Sequence, residues 1–240
     1  MGVLFFSFTI LVVVLVGATV VRLAPIEVRV KACVGLRAWA SYAAAVGYFG
    51  PRFLPAGASP LPMLLAIPAV ILVMFCARSQ FGGELAQAIP AYALMGLESV
   101  RIGIEVFLHQ LWLAGLVPAI LTYDGANFDL LIGLSAPVVA WLLLTGRLAP
   151  RGAIAWSVIG IAMLVNVVVL SILTTPGPTH FITSDVANQA VTLFPYTFIP
   201  GLLAPLAVLL HVLAIRNLRS NQPSHVSYRQ APPSLVAAKE

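Results

Sequence analysis

The chain has 240 residues, of which 60% are hydrophobic and only 9% charged, and its mean hydropathy of +1.01 lies far above that of water-soluble domains. It reads as an integral membrane protein whose first partner is the lipid bilayer, with little length left for a soluble domain. A net charge of +5 would suggest nucleic acid for a soluble protein, but here the basic residues flank apolar runs, where they set topology and meet anionic headgroups, which excludes a nucleic-acid partner.

A spanning helix needs about 20 residues at 1.5 Å rise, so the apolar runs allow about seven spans. In chain order these are Val3 to Val21, Ala32 to Phe49, Leu61 to Ala77, Ile89 to Ala114, Phe128 to Gly146, Ala153 to Thr174 and Thr197 to Ile215. The second carries Arg37 and is bracketed by Arg29, Lys31 and Arg52, so an amphipathic interfacial helix is its alternative reading. Cys33 and Cys76 fall near cytoplasmic span ends, where a disulfide would not persist, and serve as packing residues.

The first run has no basic residue before it, whereas a secretory signal peptide opens with a positive segment. The cluster Arg22, Arg29 and Lys31 follows it instead, which favours an uncleaved anchor with the N-terminus outside. In that orientation the cytoplasmic loops hold Arg22, Arg29, Lys31, Arg78, Arg147 and Arg151, Arg216 and Arg219 open a cytoplasmic tail, and the outer loops hold only Arg52. The expected fold is therefore an all-α polytopic bundle over residues 1–217, with the C-terminus in the cytoplasm. Residues 218–240 are rich in Pro, Ser and Gln and cannot bury enough apolar area to offset chain entropy, so they read as a disordered tail.

The fourth run contains "ESVRIGIEVFLHQLW". At about 100° per residue, Glu98, Arg101, Glu105 and His109 fall within a sector of roughly 80°, with Trp112 on the same side. They form one polar stripe. Arg101 and Glu105 are at i, i+4 and Glu98 is three residues before Arg101, so the arginine is expected between two carboxylates. Each lone charge at mid-membrane costs about 2.5 to 3.5 kcal/mol, so the stripe must face other helices or water. Such residues mark ion paths, proton relays or polar-ligand sites, although a buried ion-pair ladder that fixes packing is the plainer reading.

The next loop, "LTYDGANFDLL", brings Asp124, Asn127 and Asp129 to the outer end beside His109. Asn127 or Asp129 is also placed to cap the fifth helix. The last outer loop holds His180, Ser184, Asp185, Asn188 and Gln189, and a short amphipathic helix from Ser184 to Leu193 would suit a lid. "GLSAP" at Gly133 to Pro137 and "GLLAP" at Gly201 to Pro205 each predict a kink or local unwinding. Asn166 and His211 add isolated polar groups, read as helix-helix hydrogen bonds.

A retinal Schiff base needs a lysine in the last span, and the only lysines are Lys31 and Lys239. Zinc-hydrolase, protease, serine-hydrolase and P-loop signatures are missing, and the sequence names no cofactor. The segment from Glu98 to Pro137 resembles the central part of a group of uncharacterised bacterial multi-pass membrane proteins, with an R-x-x-x-E-x-x-x-H helix, a G-x-x-P, a G-x-N-x-D loop and a G-x-x-A span. The positions are Arg101, Glu105, His109, Gly115, Pro118, Gly125, Asn127, Asp129, Gly133 and Ala136. The resemblance implies an origin in the bacterial inner membrane and no particular reaction.

The expectation is a protein that binds or transports a small polar or ionic solute, anionic ones included. Its cavity would open to the outer face, with Glu98, Arg101, Glu105 and Asn127 lining it and His109, Asp124 and Asp129 at its mouth. The alternatives are an outer-face enzyme or metal site built from His109, Asp124, Asp129, His180 and Asp185, and an accessory subunit whose stripe docks a membrane partner or a second copy of the chain.

Overall fold

The computed structural model describes residues 1–54, 60–177 and 180–221, and among them the secondary structure is helical throughout. The first helix, α1 (Gly2–Leu23), is built almost wholly from Val, Leu, Ile and Phe. A helix satisfies its backbone polar groups internally, which a bilayer demands. Its buried residues Phe5, Thr9, Val12, Val16 and Val20 recur every three to four positions, so one stripe faces protein. Leu4, Leu11 and Val14 are exposed, as lipid-facing residues are. The helix α3 (Leu61–Arg78) repeats the pattern with Leu61, Leu65, Ala69, Val73 and Cys76.

Among the described residues four helices are long and apolar enough to cross a membrane: Gly2–Leu23, Leu61–Arg78, Pro150–Thr174 and Ile199–Ser220. These mark a membrane protein. The other three expected spans differ. Helix α2 (Ile26–Phe53) is continuous over 28 residues, about 42 Å of rise, but carries Glu27, Arg29, Lys31, Arg37 and Arg52. It packs on its neighbours through polar side chains that donate to backbone: Trp39 Nε1 to the Gly201 carbonyl at 2.8 Å and the Tyr42 hydroxyl to the Leu64 carbonyl at 2.6 Å.

The fourth expected span is not one helix. After the short α4 (Gln80–Ala88), which sequence reading leaves as a loop, come α5 (Ala91–Leu97) and α6 (Val100–Leu113). The break at Glu98 and Ser99 is a tightened turn in which the amide groups of Glu98, Ser99, Arg101 and Ile102 bond to carbonyls three residues back, the 3₁₀ pattern. The Ser99 hydroxyl donates to the Gly96 carbonyl at 2.8 Å and so competes with the regular ladder. Helix α7 (Asp129–Leu144) is short for a span and runs unbroken through Pro137.

Helices α8 (Pro150–Thr174) and α9 (Ala204–Ser220) complete the bundle. The unwinding expected at "GLLAP" is present: Ile199–Leu203 form a π turn leading into α9. It contains the carbonyl of Gly201 that Trp39 reaches. The lid helix expected from Ser184 to Leu193 is absent, and only Ala190–Thr192 make a 3₁₀ turn. Local polar bonds take its place: the Ser184 hydroxyl donates to the Val186 carbonyl, Asn188 Nδ2 to Ser171 Oγ, and the amide of Asn188 to the Thr174 carbonyl. Helix α9 extends to Ser220, past the boundary expected for the tail, and residues 222–240 lie outside the described part of the chain.

At one end of the bundle Arg216 of α9 donates to the carbonyls of Cys76 and Ser79, placing a cation on the carbonyl end of α3. Gly82 permits this approach, because a Cβ there would overlap the Cys76 carbonyl and meet the Arg216 guanidinium. At the opposite end the amides of Gln189 and Ala190 bond to the Leu116 carbonyl, so the two long loops meet. Gly82→Ala should lower stability in detergent by about 1–3 kcal/mol through overpacking, whereas Gly35→Ala, with open space around it, should not; equal melting temperatures for the two variants would contradict this account of the α3–α4 corner.

Candidate functional site

The stripe of ionisable residues turns into the bundle. Glu98, Arg101 and Glu105 are 0%, 2% and 1% exposed, so they do not line a cavity open to the outer face. Arg101 is held by two carboxylates, and only one, Glu98 in the turn just before α6, is its neighbour in sequence. Its Nε donates to Glu98 Oε2 at 2.9 Å and its Nη1 to Asp129 Oδ1 at 3.1 Å. The Gly160 carbonyl of α8 lies 3.5 Å from the same Nη1.

Glu105 does not pair with Arg101 as the i, i+4 spacing suggests. Asn127 Nδ2 sits 2.8 Å from both Glu105 oxygens and 3.0 Å from the Leu121 carbonyl. The other end of the same amide, Oδ1, accepts the backbone N–H of Asp129 at 2.9 Å. Asn127 thus accepts the first amide of α7 from one residue outside the N-cap, Phe128, and serves Glu105 with its other end. Asp129 was expected at the outer mouth. It instead begins α7 with its side chain turned inward to Arg101, because a buried guanidinium stabilises a carboxylate there more than solvent access does at the rim.

His109 and Asp124 remain near the C-terminal end of α6, with Nδ1 3.0 Å from Oδ2 and the aspartate half exposed. The imidazole stacks on Tyr123 at 4.7 Å between centroids and lies 5.2 Å from Trp112. Trp112 Nε1 donates to Asp185 Oδ2 at 3.3 Å. His180 is exposed in the same loop. Those groups do not assemble a metal site: among the described residues no three His, Cys, Asp or Glu side chains are arranged to hold a metal ion. Asn166 bonds to a loop rather than to another helix, donating to the Ala126 carbonyl at 2.8 Å just before α7.

His211 of α9 belongs to the cluster, which sequence reading missed. Its Nε2 lies 3.7 Å from Glu98 Oε1, beyond hydrogen-bond range. The ring packs against Gly160, where a Cβ would collide with Nε2, and at 5.3 Å from Trp156 in an edge arrangement. Similarly, a Cβ at Gly133 would crowd Ile102 and Arg101, so two glycines let α7 and α8 close on the charges. The cavity among α1, α2, α3, α5 and α9, about 90 Å³, is lined chiefly by hydrocarbon with Lys31 its one charged residue, and lacks comparable chemistry.

The charges do not balance. Three buried carboxylates face one guanidinium, two negative charges in excess when all are ionised. Some groups also lack partners: Glu98 Oε1, Arg101 Nη2 and both ring nitrogens of His211 make no hydrogen bond among the described residues. An uncompensated charge at this depth is expensive. Arg101→Met should cost about 3–5 kcal/mol, because it leaves carboxylates buried without their partner. Adding Asp129→Asn should recover part of that loss in a double-mutant cycle; strictly additive losses in chemical denaturation would show that the two side chains are not coupled.

A family model matches residues 58–219, a stretch that includes every member of the buried cluster. No curated protein and no solved structure matches the chain at a significant level. The chain belongs to the family described as Domain of unknown function (DUF8737).

Proposed function

We propose that the protein is a multi-pass protein of the bacterial cytoplasmic membrane that moves a small ionic solute, with protons exchanging at the buried carboxylates Glu98, Glu105 and Asp129. The excess of three buried carboxylates over one guanidinium carries this reading. Arg101 already lies between two carboxylates, so the excess negative charge favours a proton or cation over an anion.

Seven spans with the N-terminus outside and the C-terminus in the cytoplasm fit the charge distribution. Arg22, Arg29, Lys31, Arg78, Arg147, Arg151, Arg216 and Arg219 then gather on the cytoplasmic side. The contact of Arg216 with the carbonyl end of α3 supports this, since it places the last turns of α3 and α9 side by side. Under this orientation His109 and Asp124 stand at the outer surface and Glu98 lies eleven residues deeper, about 16 Å along the helix. Asn127 bridges the interval by contacting Glu105 and Asp129 at once.

The Glu98 and Arg101 part of the stripe is covered by α7, α8 and α9 of the same chain, which disfavours the accessory-subunit reading. In the state described the cluster is closed to water, as an occluded exchange site between openings to either side would be. Purified protein in liposomes loaded with a pH-sensitive dye should relax an imposed pH gradient faster than protein-free liposomes. Glu105→Gln should bring the rate down to the protein-free level, and a variant as fast as the wild type would overturn the assignment.

A further inference from the structure

We infer that His211 is the proton acceptor for Glu98, which carries the exchange path from the α5–α6 break across to α9. The inference rests on the proton-exchange reading above and names the group that passes the proton inward. Glu98 is divided between two neighbours: Oε2 accepts from Arg101 Nε at 2.9 Å, while Oε1 has no hydrogen-bond partner and faces His211 Nε2 at 3.7 Å. Both side chains are fully buried. A proton carried on Oε1 therefore has one basic nitrogen before it.

The facing groups are few. On α6 Arg101 holds Glu98, and on α7 Asp129 holds the other side of the same guanidinium. From α8 come the Gly160 carbonyl, against Arg101, and the Trp156 edge, against His211; Ser157 of the same helix carries a buried hydroxyl with no partner among the described residues. His211 is thus packed for position, with both ring nitrogens open. Closing 3.7 Å to bonding distance needs a movement of about 0.8 Å. Glu98 sits in the tightened turn between α5 and α6, the kind of element that supplies such a shift.

The step is a plain transfer: the Oε1–H bond of Glu98 breaks, the Nε2–H bond of His211 forms, and carboxylate and imidazolium remain as an ion pair. When the site opens to the inner side, a water molecule acts as the base that takes the proton from Nδ1, and the ring is left neutral as its Nε2–H tautomer. Ser157 lies on the same buried face of α8 as Gly160, one turn closer to the end of the bundle where Asn217 and Asn221 border a cleft of about 280 Å³ with Gln87 and Tyr92.

The test is the gradient assay in dye-loaded liposomes with His211→Gln, which keeps a polar side chain of similar reach but exchanges no proton. The expected result is a folded protein, with a melting temperature near wild type, whose relaxation is lost as completely as in Glu105→Gln. A role in packing alone would let glutamine restore both stability and flux. Should His211→Gln fail to fold, Gly160→Ala replaces it, because the added methyl displaces the imidazole from Glu98; slowed relaxation in that folded variant supports the transfer and an unchanged rate overturns it. Loss of flux in Glu105→Gln with full flux in His211→Gln overturns the role of His211 and leaves proton exchange at the cluster standing. A wild type no faster than protein-free liposomes overturns both.

Discussion

The structure depends on how one buried guanidinium is shared. Arg101 sits where water cannot solvate it, and the cost of that placement is offset by Glu98 from the turn between α5 and α6 and Asp129 from the start of α7. The two bonds fix the register of α6 against α7. They also bring the Gly160 carbonyl of α8 to the same nitrogen, so three segments meet at one side chain. A buried pair of this kind adds less to stability than a well-packed apolar core would, but it penalises every arrangement that separates the partners.

Sharing the guanidinium leaves acid unneutralised, and the rest of the site follows from that remainder. Glu105 is satisfied by an uncharged amide, Asn127, which contributes hydrogen bonds without compensating charge. One oxygen of Glu98 is left facing an imidazole that is itself unpartnered. An ion-pair ladder built only for packing would end in neutral, satisfied groups. The cluster is dry and well packed around its periphery, but it is incomplete in charge and in hydrogen bonds at its centre. That combination separates it from a purely architectural network.

Backbone irregularity is concentrated around the same region. The break between α5 and α6 falls at Glu98 and Ser99, and the π turn at Ile199–Leu203 opens the helix that carries His211. Glycines at 133 and 160 remove the side chains that would hold α7 and α8 away from Arg101 and His211. Each device is modest taken singly. Together they bring charged groups from four helical segments within contact of one another, where regular helices with larger residues would stand apart.

Much of this was legible in the sequence. Hydropathy alone established a membrane protein, since runs such as Val3 to Val21 have no other stable environment. Helical periodicity placed Glu98, Arg101, Glu105 and His109 on one stripe, and the cost of isolated charges required that stripe to face protein or water. Periodicity describes one helix at a time, however, and it predicted the local pair Arg101 and Glu105. The expected pair of Arg101 with Glu98 formed, but its second acid is Asp129 and Glu105 went to Asn127 instead, because the competition between a neighbour in sequence and a better-placed group on another segment is settled only when the helices pack. The break at Glu98 was likewise hidden, as no Gly or Pro stands there to signal it. What the sequence determined by itself was the environment and the side chains that could not tolerate it alone; which of them would compensate the others was decided by the register of α7, α8 and α9, which depends on close approaches at single glycines that no one-dimensional pattern records.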